Sequence, residues 1–328
     1  MNEIAPSLGL FVAFHLQPDG GFRRLEPAEA FGFDPGEGLL WLHLDRRSDA
    51  VQTWLFEHSG LDALDVEALL SEETRPRAYR PQQHSSLLVI LRGVNSRPDG
   101  DAGDLVSIRL WVEKHRVLGF SSRPLAAVED VAAMLGGEYA PRTAPELLAA
   151  LATRMVARME PALDALGDEV DALEEALDAG ARVDTERLLQ ARRQAATLRR
   201  FVGPQREAFA TIESLHLPWL GLTAEGEWRE ASNTLHRYIE ELDASRERIA
   251  IIHDTLNARA VARANRTFYA VSVVAAFFVP LTFTTGLLGM NVGGIPGSES
   301  PWGFAGVLLF LVSWSVAQFL VFRRLRWL

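Results

Sequence analysis

Apolar residues are spread unevenly along this chain, and the period of their spacing changes as it proceeds. Over residues 1–142 short apolar runs alternate with amphipathic ones. Gly9 to His15 and Leu39 to Leu44 are β-type runs, as is Ser86 to Val94, rich in Leu, Val and Ile. Leu105 to Val112 and Val117 to Phe120 read as a hairpin around Glu113-Lys114-His115-Arg116. Between these runs, Ser48 is placed to cap a helix that stops at Gly60, and Asp62 to Leu70 forms another. Alternation of this kind predicts an α/β domain.

From Ala144 the pattern becomes helical, giving a hairpin region over residues 143–226. Pro161 kinks or splits its first helix, and Gly180 ends it. Asp184 or Thr185 begins the next, expected to run to Val202 before Gly203-Pro204. Seven acids lie between Leu163 and Asp178: Asp164, Asp168, Glu169, Asp171, Glu174, Glu175 and Asp178. The returning segment carries Arg187, Arg192, Arg193, Arg199 and Arg200. The simpler reading is an antiparallel pair with complementary charged faces. The alternative is an acidic rim that concentrates cations.

Residues 227–266 show a third pattern. Leu235, Leu242, Ile249 and Leu256 are spaced by seven, with Ile239 and Ile252 between them. This is a heptad seam for helix packing. No Pro or Gly interrupts it before Pro280, so this stalk and the next segment are expected to form one helix of about 60 residues, roughly 90 Å long. Such a helix needs partners for its apolar face, which argues for a homo-oligomer with bundled stalks.

Two runs without Asp, Glu, Lys, Arg or His close the chain, at residues 267–290 and 301–322, joined by the loop 291–300. Each exceeds the roughly 20 apolar residues that cross about 30 Å of hydrocarbon. Arg259, Arg263 and Arg266 precede the first span; Arg323, Arg324 and Arg326 lie in the basic tail 323–328. The loop holds no Lys or Arg, so both flanks are expected in the cytoplasm and the loop outside. The N-terminus does not read as a signal peptide, since Glu3 stands where basic residues are needed. A multi-pass protein of the inner membrane with both termini cytoplasmic is the expectation.

Composition narrows the chemistry. The 328 residues include no cysteine, which excludes disulfides and thiolate metal sites, and the net charge of −10 disfavours nucleic acid as a partner. No P-loop, GxGxxG, HExxH or Ser/His/Asp pattern is present, so an enzyme is not expected. The histidines, His15, His43, His58, His84, His115, His216, His236 and His253, are scattered, and none pairs at i, i+4.

One membrane hairpin encloses no pore, so a conduction path needs several copies. Counting back along the first span in steps of three and four gives Gly286, Thr282, Val279, Ala275, Val271 (or Ser272) and Phe268 on one face. Small, hydroxyl and apolar side chains along a stripe suit a narrow pore that gates by dewetting. They equally permit close helix packing. Two heptads below Phe268 stands Asp254, beside His253 and near Asn257, at the cytoplasmic mouth. Asp254 is the candidate metal contact there, and His253 the candidate for proton coupling.

Pro280-Leu281-Thr282-Phe283, Gly286 and Gly289-Met290-Asn291 at the end of the penultimate span resemble the signature of the CorA superfamily of divalent-cation transporters. The resemblance implies an α+β/α fold: a cytoplasmic α/β domain, a long helical stalk and two C-terminal transmembrane helices, in a funnel-shaped homopentamer whose first spans line the pore. It also implies that Gly289, Met290 and Asn291 form an outer selectivity ring, with Asn291 holding the cation through its hydration shell. Asn291 as a plain helix cap fits the local sequence as well. The following loop, Val292-Gly293-Gly294-Ile295-Pro296-Gly297, lacks Met-Pro-Glu and is similar to the ZntB zinc-transporter branch. That branch implies Zn²⁺ as the transported ion, ahead of Mg²⁺, Co²⁺, Ni²⁺ or Cd²⁺, with H⁺ as coupling ion and no bound cofactor. Glu299, the one charge in the loop, is either an external vestibule acid or a solvated loop residue. The rivals are a CorA-type Mg²⁺ or broad divalent channel and, from another class, a membrane-anchored sensor or scaffold.

Overall fold

The computed structural model describes residues 9–81, 85–94, 105–215, 217, 219–220, 225–290, 292, 295 and 300–325. It divides into two compact units, residues 1–252 and 253–328.

The first unit is built on a seven-stranded mixed sheet. Its strands are β1 (Leu10–Leu16), β2 (Phe22–Arg24), β3 (Leu39–Asp45), β4 (Arg77–Tyr79), β5 (Leu87–Val94), β6 (Leu105–Val112) and β7 (Arg116–Ser121). The order is β2-β1-β3-β7-β6-β5-β4, and only β3 and β7 pair in parallel. The central strands are near-continuous apolar runs because both faces are covered. One face carries Leu40, Leu42, Leu44, Leu88, Ile90, Trp111, Leu118 and Phe120, packed with Val51 and Leu55 of α2 (Asp49–His58) and Val66 and Leu69 of α3 (Ala63–Leu70). Gly60, at φ +72°, supplies the left-handed residue that terminates α2. On the other face Gly93 of β5 lies against Met155 of α5 (Ala144–Ala157), which in turn packs on α4 (Ala126–Met134). A short α1 (Pro27–Ala30) links β2 to β3.

Thr143 and Glu146 form a reciprocal capping box at the start of α5. The helix stops at Ala157, and Pro161 lies in the first turn of α6 (Glu160–Asp178), so the proline splits the run rather than kinking it. Asp184 caps α7 through the N–H groups of Glu186 and Arg187. The expected end of α7 at Val202 is wrong: the helix runs from Thr185 to Ser214 with Pro204 inside it. Tertiary contacts hold the proline in place. The Arg92 N–H of β5 donates to Gln205 Oε1 at 2.7 Å, and the Arg92 guanidinium stacks 3.8 Å from the Phe201 ring. Anchored on both sides of Pro204, the helix continues despite a local cost of about 3 kcal/mol.

α8 (Glu225–Leu288) is a single helix of 64 residues that holds the heptad seam and the first apolar run. Leu235, Ile239, Leu242, Ile249 and Ile252 are buried within the first unit, while Leu256 is only partly so. The seam up to Ile252 is therefore filled by this chain's own helices, and that stretch does not need copies of α8 to cover it. Arg199 of α7 reaches Asp243 at 2.8 Å, and Phe209 of α7 lies 4.4 Å from Trp228. Arg248 donates to Glu174 and Asp171 of α6, and Arg187 pairs with Glu169 at 2.7 Å. Three of the α6 acids, Glu169, Asp171 and Glu174, thus serve helix pairing; only Glu169 meets an α7 arginine as the complementary-face reading expected, and α8 supplies the cation for the other two.

The second unit contains the rest of α8 and α9 (Gly303–Arg324). Both are long and apolar enough to cross a membrane.

Candidate functional site

Within the second unit the two faces of α8 are differently used. Val273, Ala276, Phe277, Pro280, Leu281, Thr284 and Leu288 are half-buried. On α9 the half-buried or buried residues are Gly303, Val307, Leu311, Ser315, Gln318 and Phe322, again in steps of three and four. These two stripes face each other, and Gln318 Nε2 lies 3.5 Å from the Ala276 carbonyl oxygen.

The sequence-derived stripe lies elsewhere. Phe268, Val271, Ser272, Ala275, Val279, Thr282 and Gly286 are all exposed in the single chain. At about 100° per residue the two sets are centred on opposite sides of α8. The expected stripe therefore points away from α9. A Cβ added at Gly286 would meet nothing within 4 Å, so space beside it is open in the monomer. Gly289 follows the helix end with its N–H on Thr285 O at 2.9 Å, and Met290 is half-exposed. Asn291 and Glu299 lie outside the described residues.

At the lower end of this segment His253, Asp254 and Asn257 come together. His253 Nδ1 is 3.5 Å from Asp254 Oδ1, and Asn257 Nδ2 is 3.3 Å from the same ring nitrogen. The Asp254 side chain is 84% exposed, so nothing in the monomer organises it into a metal cage. Among the described residues no group of three or more His, Asp or Glu is arranged to hold a metal ion.

His58 and His236 are exposed on helices, whereas His15, His43 and His115 turn to structural roles. His15 bonds to Pro35 O at 3.1 Å and His115 to Gly38 O at 2.9 Å. His43 is fully buried, bonded to Ser121 Oγ at 2.9 Å, and burial pushes its pKa down to about 3. His84 and His216 lie outside the described residues. The charged helix pairs are tuned as well: the Arg248 hydrogen bond holds Glu174 below the usual carboxylate range, and that of Arg199 does the same for Asp243.

α8 thus leaves an uncharged, hydroxyl-bearing face free and is followed directly by Gly289-Met290. The sequence profile of the CorA-like Mg²⁺ transporter protein family matches residues 36–324. The chain belongs to this family. As a CorA-family member it is a membrane transporter of divalent cations and not an enzyme. "Divalent cation transporter CmaX" of Pseudomonas aeruginosa is 39% identical over 330 residues, covering 99% of both chains. A solved structure of the full-length CmaX protein matches with a TM-score of 0.83 at 38% identity, over 99% of this chain and 100% of that one. "Zinc transport protein ZntB" of Pectobacterium carotovorum is 29% identical over 304 residues, 93% of this chain and 91% of its own. The CorA-type architecture expected from the motif is thus the observed one: cytoplasmic α/β domain, long helix and two C-terminal apolar helices.

The sequence reading passed over Gln318. Its signal was present, as the one side-chain amide in the second apolar run. A polar amide at membrane depth marks a helix contact or a function.

Proposed function

We propose that this chain assembles as a homopentamer in the inner membrane and carries Zn²⁺ through a central pore lined by the free stripe of α8. The observation that carries this reading is the orientation of Phe268, Val271, Ala275, Val279, Thr282 and Gly286, opposite to the face that packs on α9. Lined by copies of this stripe, a pore has a hydroxyl ring at Thr282 between apolar constrictions, which passes hydrated cations when wide and dewets when narrow. Gly289, Met290 and Asn291 form the outer ring, where five Asn291 carbonyl oxygens accept hydrogen bonds from first-shell water. Glu299 adds negative potential outside, and Asp254 with His253 receives the ion and the coupled proton at the cytoplasmic mouth. Arg259, Arg263 and Arg266 before α8's apolar run, and Arg323 and Arg324 after α9's, support cytoplasmic termini.

Zinc rests on the loop after the Gly-Met-Asn motif, which lacks Met-Pro-Glu, and on the ZntB relatives. A broader divalent range, Mg²⁺ included, is the second reading. It is favoured by the family's description and by the 39% identical relative, whose name specifies only divalent cations.

The test is flux into proteoliposomes holding the purified protein, comparing Zn²⁺ with Mg²⁺, with and without a pH gradient, beside Asn291→Ala. Zinc flux that follows the gradient and collapses in the variant supports the full reading. Magnesium flux indifferent to pH moves the chain to the broad-range channel reading.

A further inference from the structure

Pro280 has no backbone N–H, so the carbonyl four residues earlier loses its helical donor. That carbonyl belongs to Ala276. In a soluble helix water would fill the gap, but in hydrocarbon the group must be satisfied from within the protein. Ala276 and Pro280 are both half-buried on the α9-facing side, and the donor that arrives there is Gln318 Nε2, 3.5 Å from the Ala276 oxygen. The carbonyl can only accept, which fixes the amide's orientation: its NH₂ faces α8. The other end gains nothing, for Gln318 Oε1 is buried without a hydrogen-bond partner. An amide placed at membrane depth for its own satisfaction would not leave its oxygen orphaned. Its donor is the functional end. In the next turn Thr284 Oγ1 donates to Pro280 O at 2.8 Å, a local back-bond that leaves the Ala276 carbonyl to Gln318.

We propose that Gln318 is a positioning residue for the ion path, replacing across the helix pair the hydrogen bond that Pro280 removes from α8. Ala275 and Val279, on the opposite side of α8, stand at the level of this break. A bend or rotation of α8 there displaces the Val279 and Thr282 positions directly, and α9 controls that movement through a single amide. The inference rests on the reading of the free stripe as the pore lining.

The experiment uses full-length protein carrying Gln318→Met (similar length, no donor), Gln318→Asn (donor on a shorter arm), Pro280→Ala, and Pro280→Ala with Gln318→Met. Two readouts are taken: divalent-cation flux in proteoliposomes, and the thermal unfolding midpoint of the purified protein in detergent. Gln318→Met is expected to lower flux about tenfold and to lower the midpoint, with Gln318→Asn intermediate. In the Pro280→Ala background, where residue 280 regains its N–H, the same change is expected to alter flux less than twofold and leave the midpoint near its parent's. Equal losses in both backgrounds, or no loss in either, overturn the proposal. Should Gln318→Met fail to assemble, Gln318→Asn in the two backgrounds carries the comparison. Coupling in the midpoint without coupling in flux keeps the bond and removes the positioning role. Absence of flux from the unmodified protein counts against the pore reading instead, and the midpoint cycle still decides the bond.

Discussion

His43 of β3 and Gly119 of β7 are register partners in the one parallel pair of the sheet, and the imidazole fills the space that a side chain at 119 would need. A Cβ on Gly119 would sit 2.3 Å from His43 Nδ1. Close approach explains both the glycine and the ring nitrogen, which is buried without a partner. It also keeps the imidazole neutral, since burial lowers its pKa from 6.5 to about 3.

That neutrality has a pH signature. The unfolded chain takes up a proton at His43 near pH 6.5, and the folded chain does not until about pH 3. The stabilising contribution is therefore complete above 6.5 and is lost as pH falls toward 3, at about 1.4 kcal/mol per unit. Unfolding free energies measured between pH 7 and 4.5 should fall more steeply for the unmodified protein than for His43→Gln. Parallel curves would place the titrating groups elsewhere.

Gly119→Ala tests the same contact from the other strand. The methyl group has no room unless the His43 ring moves off Ser121, so the substitution should cost about 1–3 kcal/mol. The check is the thermal midpoint, compared with Gly167→Ala on α6, where an added Cβ meets nothing within 4 Å.

Arg248 supplies the second testable pair. Its hydrogen bond to Glu174 depresses that carboxyl, so the pair's contribution is present above pH 4.5 and is lost as pH falls through the lower folded value. Both side chains are 35% exposed, and solvent screening limits the gain. Arg248→Gln should destabilise by about 1 kcal/mol at pH 7 and by less near pH 3. The readout is a pair of denaturation curves at the two pH values, and an equal loss at both would rule out the ion pair as the cause.

The elements that could be read from the sequence are those whose local signal and tertiary role agree. β3, β5, β6 and β7 are long apolar runs buried on both faces, and α2 and α3 begin directly after Ser48 and Asp62 at the expected N-cap positions. β2 and β4, three residues each at the edges of the sheet, are too short to show a period. Pro204 misleads because the reasons for the helix to continue, Arg92 on Gln205 and Phe201, lie more than 100 residues away in sequence. The heptads of α8 misled differently. Their period specifies packing but not the packing partner, and up to Ile252 the partners are this chain's own helices. The stripe at 268–286 could be counted out because its members recur in steps of three and four, and the structure leaves them exposed opposite the α9 face. Gln318 was not, because the need for it arises only when Pro280 and the second span are superposed in space.

The stripe itself can be tested with unusual economy, because the chain contains no cysteine and needs no cleared background. Matched pairs along α8 place one cysteine on the free face and one on the α9 face at nearly the same depth: Ala275→Cys with Val273→Cys, Val279→Cys with Phe277→Cys, and Thr282→Cys with Thr284→Cys. A thiol reacts as the thiolate, which needs water. A charged thiol reagent should therefore label positions 275, 279 and 282 at least tenfold faster than their partners, and labelling should block flux. Zinc at transporting concentration should slow the labelling at 282. A lipid-facing or packed stripe would give the same slow rate in both members of each pair, and the pore would then have to be sought on another face of α8.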